Sequence, residues 1–421
     1  MTWIVSTRDA LWQERDLPAP ADGPPDIVVR TDEPRQVVEG FGACFNELGW
    51  DALSALAEPD REDVLRELFA QFTICRLPIG ANDFARDWYS HDEVPGDVAL
   101  EHFSIARDLE TLVPFIHAAR RHRPGLRLWA SPWSPPAWMK TNRHYAAGEM
   151  DESYLESYAE YFGRFIDEYR RQGIAIEMVM PQNEFNSAQV FPSCLWTPDG
   201  LARFIRQLGP RMHARDVAVF LGTAERADDT LVSRVLADPQ AGRWIAGAGF
   251  QWAGKRAVAA IHREHPRLRI YQTEQECGDG RNDWRYCRYA WTQLRHYLSN
   301  GANAYMYWNI ALTPGGRSTW GWPQNSLVTV DPATRQYVYN PEYYLLKHVT
   351  AFVPPGARVV ETLSLNGFEN QLAFVDADGR TVVVIQNDNA EDVTVTVQAE
   401  ARRVTARLPA DSFSTLVLPP G

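Results

Sequence analysis

Between about residue 36 and residue 352 the chain repeats one alternation eight times: a short β-like run, then a longer amphipathic stretch. The runs are QVVEGFGA, FTICRLPIG, LRLWASPW, IEMVMPQNE, VAVFLGTAE, IAGAGFQW, LRIYQTE and AYMYWN. Between them lie DREDVLRELFA, IARDLETLVPFIHAARRH, YLESYAEYFGRFIDEYRR and YCRYAWTQLRHYLSN, whose apolar residues recur at three- and four-residue spacing. That is the period of a helix with one buried face. Eight strand-then-helix units in roughly 315 residues predict a (β/α)8 TIM barrel over residues 36–352. A doubly wound open sheet is the alternative, but no Gly-rich dinucleotide fingerprint follows the first run.

The pattern changes after Val353-Pro354-Pro355-Gly356. The helical period disappears, and short alternating strands (VVETLSL, NQLAFVD, TVVVIQN, VTVTVQA, STLVLP) are punctuated by Asp376-Ala377-Asp378-Gly379 and Asn387-Asp388-Asn389. Such turn residues between period-two runs predict a small β-sandwich. Residues 1–35, with TWIVS and DIVVR, are too short to fold alone and are assigned to the same layer. The expected organisation is a barrel over 36–352 with a side domain built from both termini, 1–35 plus 353–421. No internal repeat or low-complexity tract interrupts it.

Composition narrows the function classes. The formal charge is −12, from 54 acidic against 42 basic residues, and there is no basic run. Phosphate neutralisation supplies most nucleic-acid affinity, so such a partner is not expected. No apolar run approaches the ~20 residues needed to cross a bilayer, so no membrane insertion is expected. MTWIVSTRDALWQERD lacks a basic start and an apolar core, which predicts a cytoplasmic protein, or a secreted one if a leader has been trimmed. Five scattered cysteines (Cys44, Cys75, Cys194, Cys277, Cys287) form neither a disulfide framework nor a zinc pattern. Aromatic content is high, at 12%, which suits stacking on sugar faces as well as packing a large core.

In a barrel, the active site forms where strands end and the following loops begin. Here the second run carries Arg76 and then Asn82-Asp83, and the third ends in Ser131-Pro132-Trp133. The fourth ends in Gln182-Asn183-Glu184 and the seventh in Thr273-Glu274-Gln275-Glu276. The eighth ends in Trp308-Asn309 and leads into TPGGRSTWGWPQN. Two carboxylates on opposed strand ends, walled by aromatics, are what glycoside hydrolysis requires. Glu184 and Glu274 are the candidate pair. Asn-Glu occurs twice, and Glu47 of Asn46-Glu47 reads as an acidic residue opening a helix, where the dipole favours it. Glu184 instead closes an apolar run, which leaves catalysis and a structural ion pair both open.

GFGACFNE, RLPIGANDF, ASPWSPPAWMKTN, MPQNEF, YQTEQECG and MYWNIALTPGG, in this order, resemble the strand-end motifs of glycoside hydrolase family 30. That family includes glucosylceramidases, β-1,6-glucanases and xylan-active enzymes. The resemblance spans the whole chain. It implies a retaining β-glycosidase that needs no metal or cofactor, with Glu184 as general acid/base and Glu274 as nucleophile. Glu276, two residues on, is the rival for the second role, but Cys277-Gly278-Asp279-Gly280 suggests that the strand has ended before it. By the same resemblance Arg76 orders the nucleophile and Asn183 donates to the sugar 2-hydroxyl. Asp83 and Trp133 grip the terminal sugar, and Trp308 forms an apolar floor. For Trp133 and Trp308 core packing is the alternative. At strand six, family members commonly carry His or Tyr, whereas this chain reads Gly249-Phe250-Gln251-Trp252, so Gln251 or Trp252 must take that role.

Two other classes compete: a sugar-binding barrel without catalysis, and a metal-dependent hydrolase. The ten histidines include no HxH or HExxH pair. The substrate is read as a carbohydrate, with exo action on β-glucosides, β-xylosides or short β-linked oligosaccharides preferred over endo action on β-1,6-glucan or xylan. Arg317 is a candidate for holding a uronate, with solvent exposure as its alternative. Trp138, Trp196, Trp320 and Trp322 are candidates for outer subsites or for loop packing. The oligomeric state is not encoded in any visible pattern.

Overall fold

The computed structural model describes residues 1–16, 19–365 and 367–420. It divides into two compact units, one of residues 41–281 and 304–338, the other of residues 1–40, 282–303 and 339–421.

The first unit holds a closed parallel barrel whose eight strands neighbour one another in chain order. They are Gly40–Cys44, Ile74–Pro78, Arg127–Ser131, Met178–Val179, Ala218–Ala224, Ile245–Gln251, Arg269–Glu274 and Ala304–Asn309. Each coincides with one of the eight runs, although the fourth forms only two residues of ladder. Alternate residues point inward, and one inward layer is apolar: Ile74, Trp129, Met178, Met180, Phe220, Tyr271, Ala304 and Met306 pack as one cluster. Room for it comes from strand six. A Cβ at Gly247 would lie 2.3 Å from the Phe220 ring, and one at Gly249 would lie 2.5 Å from Met180 Sδ. Two residues further along the same inward rows stand Arg76, Ser131 and Thr273, so the filling turns polar towards the ends of the strands.

Loops and helices after these strands are locally well specified. Asn46 caps helix Glu47–Ser54 by accepting from Gly49 N at 2.7 Å. Thr197 caps Pro198–His213, with proline in the first turn where its missing N–H costs nothing. Helix Leu155–Arg171 buries Tyr158, Phe162, Phe165, Ile166 and Tyr169 along one stripe, as its period requires. Among the described residues no helix is long and apolar enough to cross a membrane.

In the second unit ten strands form one sheet, in the order 13–14, 2–7, 412–418, 381–387, 371–375, 358–364, 27–37, 393–399, 402–408 and 19–20. Both terminal segments join it as expected: Thr2–Thr7 runs antiparallel to Ser412–Leu418, and Ile27–Val37 lies between two later strands. One apolar cluster gathers Ile27, Val29, Val383, Ile385, Val397, Val404 and Leu416 from strands spread across the sheet, which is therefore curled over a single core. The strand Arg402–Leu408 adds to those legible in the sequence. Its RRVTARL pattern alternates, but three arginines disguise it. Helices Trp284–Ser299 and Pro341–Thr350 belong to this unit too. Trp291 Nε1 donates to Asn370 Oδ1 at 3.1 Å, and His348 is held between the hydroxyls of Thr415 and Ser6, each at 2.8 Å.

Candidate active site

Arg76 is the centre of the barrel mouth, and it has no exposed surface. A buried guanidinium needs most of its donors satisfied, and the ends of several strands supply acceptors. Nη1 donates to Glu274 Oε2 at 2.8 Å, and it reaches the Thr273 carbonyl at 3.3 Å and Gln251 Oε1 at 3.4 Å. Nη2 donates to Asn183 Oδ1 at 2.7 Å and Ser131 Oγ at 2.9 Å, and Nε also reaches Ser131 Oγ, at 3.1 Å. Its cation lies 4.2 Å from the centre of the Trp133 ring and 5.1 Å from that of Trp129. The positive charge is thus fixed from the apolar layer below and aimed at one carboxylate.

Glu274 is the last residue of strand seven, where Arg76 and, less strongly, Trp252 counter the rise of its carboxyl. Glu184 stands in a different setting. It occupies the left-handed region at φ 48° and opens a turn closed by Ser187 N donating to its carbonyl at 3.0 Å. Its backbone N–H is anchored on Thr223 Oγ1 at 2.9 Å. Both carboxyl donors it meets are neutral amides, Gln251 Nε2 on Oε1 and Gln189 Nε2 on Oε2, each at 3.3 Å. Burial pushes both carboxyls up from their ordinary values. Arg76 opposes this at Glu274 through direct contact and at Glu184 only through space.

A pocket of about 340 Å³ brings these groups together; its lining includes Asp83, Trp133, Asn183, Glu184, Trp252 and Glu274. Of the residues singled out in the sequence, Arg76 and Trp308 lie outside that lining. Trp308 is 1% exposed and stacks on Trp133 at 5.3 Å, so it supports the pocket wall from behind. Asn183 Oδ1 accepts from Arg76 and from Gln251 at 3.1 Å, which leaves its NH2 group for the pocket. Asp83 is buried, and that burial, with Glu274 nearby, pushes its carboxyl well above the usual range. At strand six it is Gln251 that joins the buried network and Trp252 that faces the pocket.

Other candidates fall elsewhere. Glu276 lies beyond the strand and pairs with Lys255. Glu47 is buried at the start of its helix, where Arg107 grips both carboxylate oxygens at 3.0 and 2.9 Å. Arg317 is exposed and donates to the Gly321 carbonyl at 3.1 Å. Trp138 and Trp196 are loop packing: each is 5% exposed, and their indoles donate to Asp92 O and Gln182 Oε1. Trp322 lines the pocket at 42% exposure. Among the lining residues that drew no attention in the sequence are Ser187, Gln189, Phe191, Glu225 and Arg226. For Glu225 a signal existed, a carboxylate at the end of the run VAVFLGTAE. The others sit on loops whose course no periodicity reveals.

Known proteins match this arrangement along nearly the whole chain. Residues 38–353 match the glycosyl hydrolase family 30 TIM-barrel domain, and residues 356–416 the glycosyl hydrolase family 30 beta sandwich domain. The chain belongs to glycoside hydrolase family 30. Among its relatives is the lysosomal acid glucosylceramidase of Mus musculus, 27% identical over 412 residues that cover 88% of this chain and 79% of the relative. The endo-1,6-beta-D-glucanase of Neurospora crassa is 27% identical over 417 residues, 91% of this chain and 86% of the relative. The solved structure of SrfJ from Salmonella typhimurium superposes with a TM-score of 0.92 at 25% identity, covering 100% of this chain and 99% of that one. This family 30 chain is therefore a retaining O-glycosyl hydrolase acting on a carbohydrate substrate.

Proposed function

We propose that this family 30 enzyme removes terminal β-linked sugars, with Glu274 as nucleophile and Glu184 as general acid/base. The observation that carries the assignment is the unequal environment of two buried carboxyls: Glu274 contacts the Arg76 guanidinium, whereas Glu184 contacts amides alone. Environments that push two titratable groups apart divide them into anion and acid. In the first step Glu184 passes its proton to the glycosidic oxygen while a Glu274 oxygen attacks the anomeric carbon. The bond to the leaving group breaks, and a glycosyl ester forms. In the second step Glu184, now ionised, takes a proton from water, the water oxygen attacks the same carbon, and the ester bond breaks to restore Glu274. Two inversions give net retention. The free NH2 group of Asn183 suits the sugar 2-hydroxyl, and Asp83 with Trp133 suits the outer hydroxyls and one face of the ring.

Exo action is supported by the loops after strands two, three and eight. Trp88 stacks on Tyr145 at 5.0 Å, Tyr145 contacts Trp320 at 6.2 Å, and Thr319 Oγ1 donates to the Ala85 carbonyl. These contacts tie the three loops together on the side that carries Asp83 and Trp133. Gln189 and Arg226, on the loops after strands four and five, also line the pocket and are left for the leaving group.

The test is a panel of nitrophenyl β-glycosides run beside Glu184→Gln. Turnover on one sugar, lost in the variant and restored by azide, supports the reading. Labelling of Glu276 rather than Glu274 by a slow fluoro-sugar would overturn it. Cleavage confined to internal bonds of β-1,6-glucan would instead make the enzyme endo-acting.

A further inference from the structure

A fourth carboxylate lines the pocket. Glu225 follows the last residue of strand five and is 5% exposed. Its Oε1 accepts from Asn186 N at 3.2 Å and from Ser187 Oγ at 2.9 Å, and Arg226 Nε lies 3.3 Å from the same oxygen. Oε2 is buried and accepts no hydrogen bond among the described residues. Asn186 and Ser187 belong to the turn that Glu184 opens in its left-handed conformation. A non-glycine residue held at positive φ persists only where its surroundings over-determine it. Three contacts do so here: Thr223 holds the Glu184 N–H, the turn closes on its carbonyl, and Glu225 clasps the two residues that follow.

We propose that Glu225 is a positioning residue for the acid/base: it fixes the turn that aims Glu184. This rests on the reading of Glu184 as acid/base. Burial, and then the charge of Glu184, raise the Glu225 carboxyl to about 7. Repulsion between two carboxylates is mutual, so each ionisation hinders the other.

Glu225→Gln keeps an acceptor for Asn186 and Ser187 but loses the charge; Glu225→Ala loses both. The probes are two aryl β-glycosides of one sugar, a dinitrophenyl compound that departs unaided and a plain phenyl compound that needs protonation. In kcat/KM, which reports the first step, Glu225→Ala is expected to lose on the order of 10- to 100-fold on the phenyl substrate, as for a displaced general acid, and much less on the dinitrophenyl one. Glu225→Gln recovers most of that loss, because its amide oxygen can still accept from Asn186 and Ser187. Equal losses on both substrates, or no recovery in Glu225→Gln, would overturn the proposal. Glu184→Gln serves as control: if it behaves alike on both substrates and ignores azide, the acid/base reading itself fails, whatever Glu225 does.

Discussion

Both units bury polar groups, but the barrel mouth and the curled sheet bury different kinds. The barrel mouth encloses ionisable groups: a guanidinium with no exposed surface and four carboxyls, Asp83, Glu184, Glu225 and Glu274, at 5–7% exposure. The curled sheet encloses neutral groups. His348 sits between two hydroxyls, its imidazole pushed down to about 3 by burial and hence uncharged. Asn387 Nδ2 donates to the carbonyls of Glu391, Leu408 and Pro409 at 3.0, 3.3 and 2.7 Å. Satisfied neutral polar groups cost a fold little, whereas buried charges are held against a desolvation penalty. Where a protein keeps the costly kind in a pocket, chemistry is the reason to look for.

The contrast is broken most severely at the pocket. Glu274→Gln should lower kcat on aryl β-glycosides by at least ~10³-fold, since covalent catalysis loses its nucleophile. The protein should remain folded by circular dichroism. Arg76→Met is the position where both kinds of damage coincide. Removing one partner of a buried ion pair costs about 3–5 kcal/mol, so a urea titration should show a lower midpoint together with lost turnover. In the sheet, Ile385→Ala removes a side chain with no exposure, and stability should fall by about 2–5 kcal/mol. Below the unfolding transition its kcat/KM should match that of the parent.

The smallest effect depends on pH. Glu225 holds its proton to about 7 in the folded protein against 4.5 ordinarily, so across that interval the unfolded chain carries fewer protons. Stability therefore falls as pH rises from 4.5 to about 7 and stays lower above. Glu225→Gln lacks this loss. Its Tm relative to the parent should be similar near pH 4 and higher near pH 8, by no more than about 3 kcal/mol equivalent. A constant offset at both pH values would place Glu225 among the neutral-like groups of the sheet.

The two units also differed in how far the sequence disclosed them. Barrel strands are buried on both faces and read as apolar runs closed by polar residues, so all eight are visible in one dimension, even the fourth with its two-residue ladder. The sheet strand Arg402–Leu408 hides because three arginines interrupt it and only Val404, Ala406 and Leu408 face the core. In the pocket, Glu184, Glu274 and Arg76 were legible from their places at strand ends. Ser131, Thr223 and Thr273 were not, because a hydroxyl becomes an anchor only once barrel closure brings a guanidinium or an amide against it. Glu225 was visible as a carboxylate at a strand end, but its partners lie 38 and 39 residues away.

The pairing of Thr2–Thr7 with Ser412–Leu418 has a consequence for the order of events during synthesis. Thr2–Thr7 must wait for Ser412–Leu418, while the barrel segments between them are already complete. Contacts of such sequence separation are slow to close, so the opening β-strands spend translation as unpaired edges, the kind of surface that invites association with other chains. A nascent chain stopped short of residue 412 should carry that edge exposed.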